Sequence, residues 1–244
     1  MMLCLDIGNS TVFMGLIASG EVLDFTRIPV ASSSYADQIA AFVGGRRVDA
    51  AAVSSVVPDA TGAVIETVRQ LTGMMPLLVK KELQPAFPIA LDHPETLGAD
   101  RIADATAAIH DYPLPVIVID LGRATTFSVI NNKGVFLGGA ICPGITTSFR
   151  ALTEKAAQLK GFSLDLPEKV IGTITADCIN SGIIAGHASL IDGMVKRIEE
   201  ETHDLYTIVL TGGMSSTVAP FCQCALQVDK TLILRGVYYM VEGR

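Results

Sequence analysis

The chain has 244 residues, half of them hydrophobic and only 18% charged, with a net charge of −7. That is enough apolar material for two modest cores or one large one, and too little charge for a disordered chain. The acidic balance, with no basic run longer than Arg46-Arg47, excludes a nucleic-acid surface, and no apolar run reaches the roughly 20 residues of a membrane span.

The chain starts directly in an apolar strand, Met2 to Leu5, with Asp6 at its end, which does not read as a signal peptide. Five cysteines (Cys4, Cys142, Cys178, Cys222, Cys224), an odd number in mostly apolar contexts, read as reduced core thiols, so a cytoplasmic protein is expected. Cys222-Gln223-Cys224 lacks the second Cys/His pair of a zinc site, and His93, His110, His187 and His203 stand at no ligand spacing. His110 and His203 read as surface or helix-end residues.

Thr11 to Ile17 and Glu21 to Ile28 extend the first strand into a meander around Ser19-Gly20. Ser34 is placed to cap a helix from Tyr35 to about Val43. Ala50 to Val53 is an apolar strand ending in Ser54-Ser55, hydroxyls at a strand end where layered α/β folds bind ligands. Pro58 opens a helix whose apolar stripe is Val64, Ile65, Val68 and Leu71. Lys80 to Thr96, with Pro85, Pro88 and Pro94, reads as a long loop.

Gly98-Ala99-Asp100-Arg101 then opens a helix to about His110, with Asp100 as its N-cap. Capping does not explain Arg101, which has the wrong sign for that end of the helix dipole and wants an anion or carboxylate nearby. After a second meander come the Gly138-Gly139 strand and Cys142-Pro143-Gly144, then a helix from Thr147 to about Gln158. Gly172-Thr173-Ile174-Thr175 opens a long helix to about Ile198, with Gly182 and Gly186 as tight contacts inside it. Ile208 to Thr211 is a buried strand breaking at Gly212-Gly213, and Thr231 to Val241 forms a last helix closing the second half.

The halves are related. Ile119-Asp120-Leu121-Gly122-Arg123-Ala124-Thr125-Thr126-Phe127 restates Leu5-Asp6-Ile7-Gly8-Asn9-Ser10-Thr11-Val12-Phe13, and the match runs on without a gap to place Gly134 on Gly20. The spacing is a domain length, so two α/β domains are expected, residues 1–113 and 114–244. In each copy an apolar strand delivers a carboxylate, and the next Gly lets backbone come close to a ligand. Successive N–H groups and a hydroxyl there can hold phosphate oxygens, while the Asp holds a cation that neutralises them. One Asp-x-Gly alone would be only a β-turn; its duplication favours a polyphosphate site.

Six segments in this order resemble the type III pantothenate kinase family, also called the Bvg accessory factor family: Asp6-Ile7-Gly8-Asn9-Ser10, Gly98-Ala99-Asp100-Arg101, Asp120-x-Gly122-x-Ala124-x-Thr126, Gly138-Gly139-x-Ile141-x-Pro143-Gly144, Gly172-Thr173-x-Thr175 and Thr211-Gly212-Gly213. The resemblance covers essentially the whole chain. It implies two duplicated actin-like (ribonuclease H-like) α/β domains with a nucleotide cleft between them, and commonly a homodimer. It implies transfer of the ATP γ-phosphoryl to the primary hydroxyl of pantothenate, the first step towards coenzyme A, with Mg²⁺ and a monovalent cation, K⁺ or NH₄⁺. By resemblance Asp100 is the general base, Gly98, Ala99, Arg101 and Thr175 contact pantothenate, and Asp120 holds the monovalent cation. Asp6, Ile7, Gly8, Asn9, Ser10, Thr11, Val12 and Phe13 would wrap the ATP phosphates. Arg123 stands where the family has a Thr on ATP, and Leu91 where it usually has a Tyr lining the pantothenate pocket. Two alternatives follow from these departures: a weak or inactive relative acting as a ligand-binding accessory protein, or a kinase of the same superfold for another small hydroxyl substrate.

Overall fold

The computed structural model describes residues 1–31, 34–79, 86–155, 159 and 161–243; the expected loop at Lys80–Pro85 and the last turn of the helix expected to reach Gln158 lie outside them. The chain divides into two compact units, Met1–Asp111 with Thr231–Arg244, and Tyr112–Lys230.

The first unit holds β1 (Met2–Ile7), β2 (Thr11–Ala18), β3 (Glu21–Pro29), α1 (Tyr35–Val43), β4 (Ala50–Ser55), α2 (Pro58–Thr72), β5 (Leu77–Val79) and α3 (Ala99–Asp111). Its sheet runs β3-β2-β1-β4-β5, with β1 antiparallel to β2 and parallel to β4. Strand alternation sends Leu3, Leu5 and Ile7 to one face, where they pack with Val12, Met14 and Leu16 of β2 and with Ile39, Val64 and Val68 of α1 and α2. Leu71, expected in the α2 stripe, is instead exposed, because it falls in the last turn beyond the edge of that contact. Ser34 occupies the α1 N-cap position without a side-chain capping bond. Ser19 and Gly20 both have positive φ, the pattern of a two-residue hairpin matched to strand twist.

The second unit holds β6 (Val116–Leu121), β7 (Ala124–Ile130), β8 (Phe136–Pro143), α4 (Ile145–Lys155), α5 (Thr175–Thr202), β9 (Thr207–Thr211), α6 (Ser215–Val218) and β10 (Gln227–Val228). The sheet order β10-β9-β6-β7-β8 repeats that of the first unit, strand for strand. Ile117, Ile119 and Leu121 again face one core, here covered by Ile184, Ala188, Ile191 and Val195 of α5. Gly182 and Gly186, expected as tight contacts, lie exposed on the other side of α5, with no described residue outside the helix's own turns within 4 Å of where a Cβ would stand. Of the cysteines expected in cores, only Cys4 is fully buried, and Cys178 at the start of α5 is exposed. Among the described residues no helix is long and apolar enough to cross a membrane.

The last helix, α7 (Leu232–Glu242), corrects an expectation: it packs in the first unit, not the second. It covers the face of the first sheet opposite α1 and α2, with Leu234 against Gly15 of β2, and crosses α3 at Gly236 against the main chain of Ala103. One end of this crossing is fixed by Asp111, which accepts hydrogen bonds from Arg235 Nε (2.6 Å) and Tyr239 OH (2.9 Å). Burial raises the Asp111 pKa, but the bonds from His110, Arg235 and Tyr239 outweigh it and hold the carboxyl below its ordinary value. The same contact, with burial as the larger cause, pushes the Tyr239 hydroxyl up to about 12.

A Cβ on Gly236 would stand 1.9 Å from the Ala103 carbonyl oxygen, and neither main chain can swing aside as a side chain would. Gly236→Ala gains about 1 kcal/mol of helix propensity but forces the helices apart, for a net loss of about 1–3 kcal/mol. Urea unfolding checks this; a midpoint equal to that of the unsubstituted protein would show that α3 and α7 can separate without cost.

Candidate active site

Both carboxylates of the repeated device occupy the same place in their sheets. Asp6 and Asp120 end the central strand and, by alternation, point to the face opposite the α1/α2 core in one unit and the α5 core in the other. The turns that follow are not identical. In the first, Gly8 N–H donates to Thr11 C=O (3.0 Å), so that Ile7 pairs with Val12 and Asp6 with Phe13. In the second, Gly122 N–H donates to Ala124 C=O (3.0 Å), so that Leu121 pairs with Thr125 and Asp120 with Thr126. The second turn is one residue shorter. The gapless match expected from sequence therefore holds to Gly122 and slips by one afterwards, making Thr126 the counterpart of Phe13 and the core residue Phe127 that of Met14.

In the first turn, Asn9 and Ser10 are exposed and Thr11 is half-buried, so their polar groups are accessible to a ligand. Ile7 and Val12 are fully buried in the core and can offer only main-chain atoms. Phe13, 3% exposed, lies under the Arg27 guanidinium. Of the two hydroxyls ending β4, Ser55 is spent on structure, accepting from Val57 N–H and bonding Thr61 Oγ1 at 2.7 Å. Ser54 pairs with Asp6 across the parallel strands, and its fully buried hydroxyl has no hydrogen-bond partner among the described residues.

In the second turn, Arg123 C=O accepts from Gly144 N–H (3.0 Å) and Thr147 Oγ1 (2.7 Å), while the Arg123 side chain is exposed. Gly144 must lack a side chain, since a Cβ would stand 2.4 Å from Gly122 O. A Cβ at Gly212 would stand 2.3 Å from Asp120 Oδ1 and one at Gly122 would stand 3.5 Å from Oδ2. The Asp120 carboxylate thus sits against glycine on two sides, where any side chain would crowd its oxygens. No group of three or more His, Cys, Asp or Glu among the described residues could hold a metal, so a cation here would depend on one carboxylate, main-chain oxygens and the ligand's own phosphates.

The Gly98-Ala99-Asp100-Arg101 segment differs from its expected geometry. α3 begins at Ala99, and Gly98 C=O accepts from Ile102 N–H, so Gly98 holds the cap position and Asp100 lies inside the first turn. Asp100 Oδ1 accepts from Arg101 N–H at 2.8 Å, and Oδ2 takes no hydrogen bond from the described residues. A Cβ at position 98 would stand 2.3 Å from Asp100 Oδ1, so the glycine makes room for the carboxylate. Burial lowers the pKa of the Arg101 guanidinium, and the charges of Asp100 and Asp104 oppose that shift. Asp104, 4% exposed within an alanine-rich buried helix face, is a charged neighbour of Arg101 that sequence reasoning missed; a carboxylate in the middle of an apolar stripe was the available signal.

Because Asp111, at the C-terminal end of α3, bonds Tyr239 and Tyr239 approaches the Gly20 hairpin, the opposite end of this helix, roughly 20 Å away, lies towards the Gly8 turn. The polar cavity of about 310 Å³ lined by Gly20, Glu21, Asp111, Thr231, Arg235 and Tyr239 is at the wrong end of α3 for the chemistry. Thr175 is exposed as the first residue of α5, and Leu91 is half-buried.

His187 was also missed. It is buried on α5 and its Nε2 is 2.8 Å from Thr125 Oγ1, tying the exit of the second turn to the helix beneath it. Burial pushes its pKa below 6.5. A folded-state pKa below the unfolded one means the stabilisation is complete above about pH 6.5 and is lost as pH falls through the folded value. The melting temperature should therefore drop between pH 7 and 5, and His187→Gln, which cannot take a proton but can still bond Thr125, should flatten that part of the profile. Equal slopes for the two proteins would remove His187 as the cause.

A family model described as type III pantothenate kinase matches residues 2–197. A type III pantothenate kinase of Thermomicrobium roseum is 38% identical to the chain over 251 aligned positions, covering 98% of this chain and 96% of the relative. Among solved structures, a protein of Campylobacter jejuni described as a Baf family transcriptional activator aligns with a TM-score of 0.62 at 22% identity, over 99% of this chain and 98% of its own. The ROK hexokinase of Thermus thermophilus aligns with a TM-score of 0.52 at 13% identity, over 100% and 99%. At those identities the structures share the fold alone, and the two mixed five-stranded sheets with their helices are the actin-like α/β fold of such kinases. The extent of the family match and of the Thermomicrobium roseum alignment make the chain a member of the type III pantothenate kinase family.

Proposed function

We propose that the chain transfers the γ-phosphoryl of ATP to the primary hydroxyl of pantothenate, with Asp100 as general base. The observation that carries the base assignment is the Gly98–Arg101 turn. One Asp100 oxygen is held by the Arg101 amide and the other is left to accept a proton, beside a cation, Arg101, suited to a carboxylate-bearing acceptor. An Asp can serve here because phosphoryl transfer passes through a loose transition state in which the hydroxyl proton leaves late. Thr175 and Ala99 complete the acceptor contacts in this reading.

The donor side rests on the duplicated turns. Main-chain N–H groups and the hydroxyls of Ser10 and Thr11 take phosphate oxygens, and the exposed Arg123 supplies a charged donor in place of a short neutral one. Asp6 lines the phosphate site with the Gly8 turn, and Asp120 is the residue to hold a monovalent cation, K⁺ or NH₄⁺. Bound cations would neutralise the charge of the polyphosphate, and the chain's own part is to orient it and to remove the proton at Asp100. A ligand-binding accessory protein with little turnover is a second reading, motivated by Arg123 and Leu91.

One assay tests these assignments: turnover of ATP with pantothenate in K⁺ and in Na⁺ buffers, with ATP alone as control. Asp100→Asn keeps an oxygen able to accept from Arg101 N–H, so it should melt like the unsubstituted protein while losing turnover by about 10²-fold or more. Asp120→Asn should lose the advantage of K⁺ over Na⁺. Near-normal kcat in Asp100→Asn would leave Asp100 a purely structural residue, and ATP-induced stabilisation without any turnover would favour the accessory reading.

We also propose a cytoplasmic homodimer. Val170, Ile171 and Ile174 are 75%, 82% and 61% exposed just before α5, beside a helix face of Gly182, Gly186, Ser189 and Gly193 that leaves room for another backbone. Light scattering should give twice the 25.8 kDa chain mass, and Ile171→Asp should shift it towards the monomer. A monomeric mass at micromolar concentration would sink this reading.

A further inference from the structure

β1 pairs with β2 so that Phe13 stands opposite Asp6, and β2 pairs with β3 so that Phe13 also stands opposite Arg27. Directly opposed residues share a face, so Asp6, Phe13 and Arg27 form one row across three strands, beside the Gly8 turn, and Ser54 extends it on β4. The Arg27 guanidinium carbon lies 3.7 Å from the centroid of the Phe13 ring, and Phe25 meets the same ring edge-on with centroids 5.9 Å apart. Two strand spacings put the Arg27 backbone roughly 10 Å from that of Asp6. By stacking on Phe13, the guanidinium is held against the residue that stands between it and Asp6 in the row.

A guanidinium stacked by its face keeps its N–H donors in the plane of the group, directed outward past the rim of the ring. Arg27 itself is exposed while the ring beneath it is buried, so the aromatic pair works as a rest that fixes the direction of a long cationic side chain. Orientation of this kind lowers the entropy lost when the group takes an anion. The neighbouring carboxylate gives the row a negative and a positive group on either side of one ring, an arrangement able to take a polyphosphate together with its cation.

We propose that Arg27 is a further anion-binding residue of the site, aimed by Phe13, which takes an anionic oxygen of a bound substrate. Both substrates of the proposed reaction carry one, as phosphate on ATP or as carboxylate on pantothenate, and the inference rests on that reading of the function. The place of Arg27 in the row of Asp6 favours the phosphate.

Arg27→Met keeps an apolar cover for Phe13 and removes the charge, and Arg27→Lys keeps the charge without the planar fork. Initial rates are measured with each substrate varied in turn, together with the melting shift induced by ATP and Mg²⁺. Arg27→Met should raise one KM by about tenfold or more, with a smaller change in kcat, and Arg27→Lys should recover part of it. A rise confined to ATP, with a reduced ATP-induced shift, assigns the phosphate; a rise confined to pantothenate assigns the carboxylate. Both KM values within twofold of the unsubstituted protein in the two variants, with an unchanged ATP shift, would overturn the proposal. Should the unsubstituted protein fail to phosphorylate pantothenate, the reading of the function falls by itself. Arg27 is then judged on the ATP shift, where loss in Arg27→Met supports it and retention refutes it.

Discussion

The first unit depends on a main-chain contact between segments that are far apart in sequence. Gly236 of α7 lies so close to Ala103 of α3 that a single methyl would stand 1.9 Å from a carbonyl oxygen. This proximity sets how deeply α3 lies on the sheet. Leu234, two residues earlier, fills the space left by Gly15, and Asp111 closes the other end with bonds from Arg235 and Tyr239. The Asp111–Arg235 pair is less than one-fifth exposed, so its partners must be present together: removing either would leave a mostly buried charge unmatched. The helix that carries Asp100 is therefore held in place by residues at the far end of the chain.

The duplicated turns show how a small change of length redistributes roles. The carboxylates and the first glycines coincide in the two copies, because each central strand is fixed between one antiparallel and one parallel neighbour. Beyond the glycine, the shorter second turn moves the partner of the carboxylate from an aromatic ring to a hydroxyl, Phe13 to Thr126. A ring can support a guanidinium, as it does for Arg27, whereas a hydroxyl can bond a ligand or an ion directly. In the second copy the tighter turn is clasped by Gly144 and Thr147 on the Arg123 carbonyl, so the turn is rigid while the Arg123 side chain remains exposed.

Period and punctuation made much of the fold legible: α1, β4 and α2 lie where apolar spacing and Pro58 placed them, and the first hairpin turns at Ser19-Gly20 as its residues suggested. What escaped was non-local. Nothing in Leu232–Glu242 says which sheet its apolar face will cover, since a stripe records that a surface is buried and not against what. The slip between the two turns depends on a single hydrogen-bond choice, Thr11 or Ala124 as acceptor, which leaves no trace in residue type. Gly182 and Gly186 were misread because a helical glycine signals close approach only if another backbone approaches it, and among the described residues none does. Arg27 could not be seen at all, because its significance is a register: it matters through standing opposite Phe13, which stands opposite Asp6.

Asp104 and Arg101 show what the site costs the fold. α3 is otherwise packed with alanines, Ala99, Ala103, Ala105, Ala107 and Ala108, which suit a close crossing with α7 and leave little polar surface nearby. Placing a carboxylate and a guanidinium three residues apart on such a helix, one nearly fully buried and the other largely so, desolvates both. Their mutual attraction offsets part of that penalty, but apolar residues of similar size would stabilise the helix at least as well. Stability therefore does not account for the pair. The proposed site gives the pair a role, since Asp104 lies one helical turn beyond Asp100 and its charge acts on Arg101 without occupying the end of the helix where the proposed base needs Asp100 Oδ2.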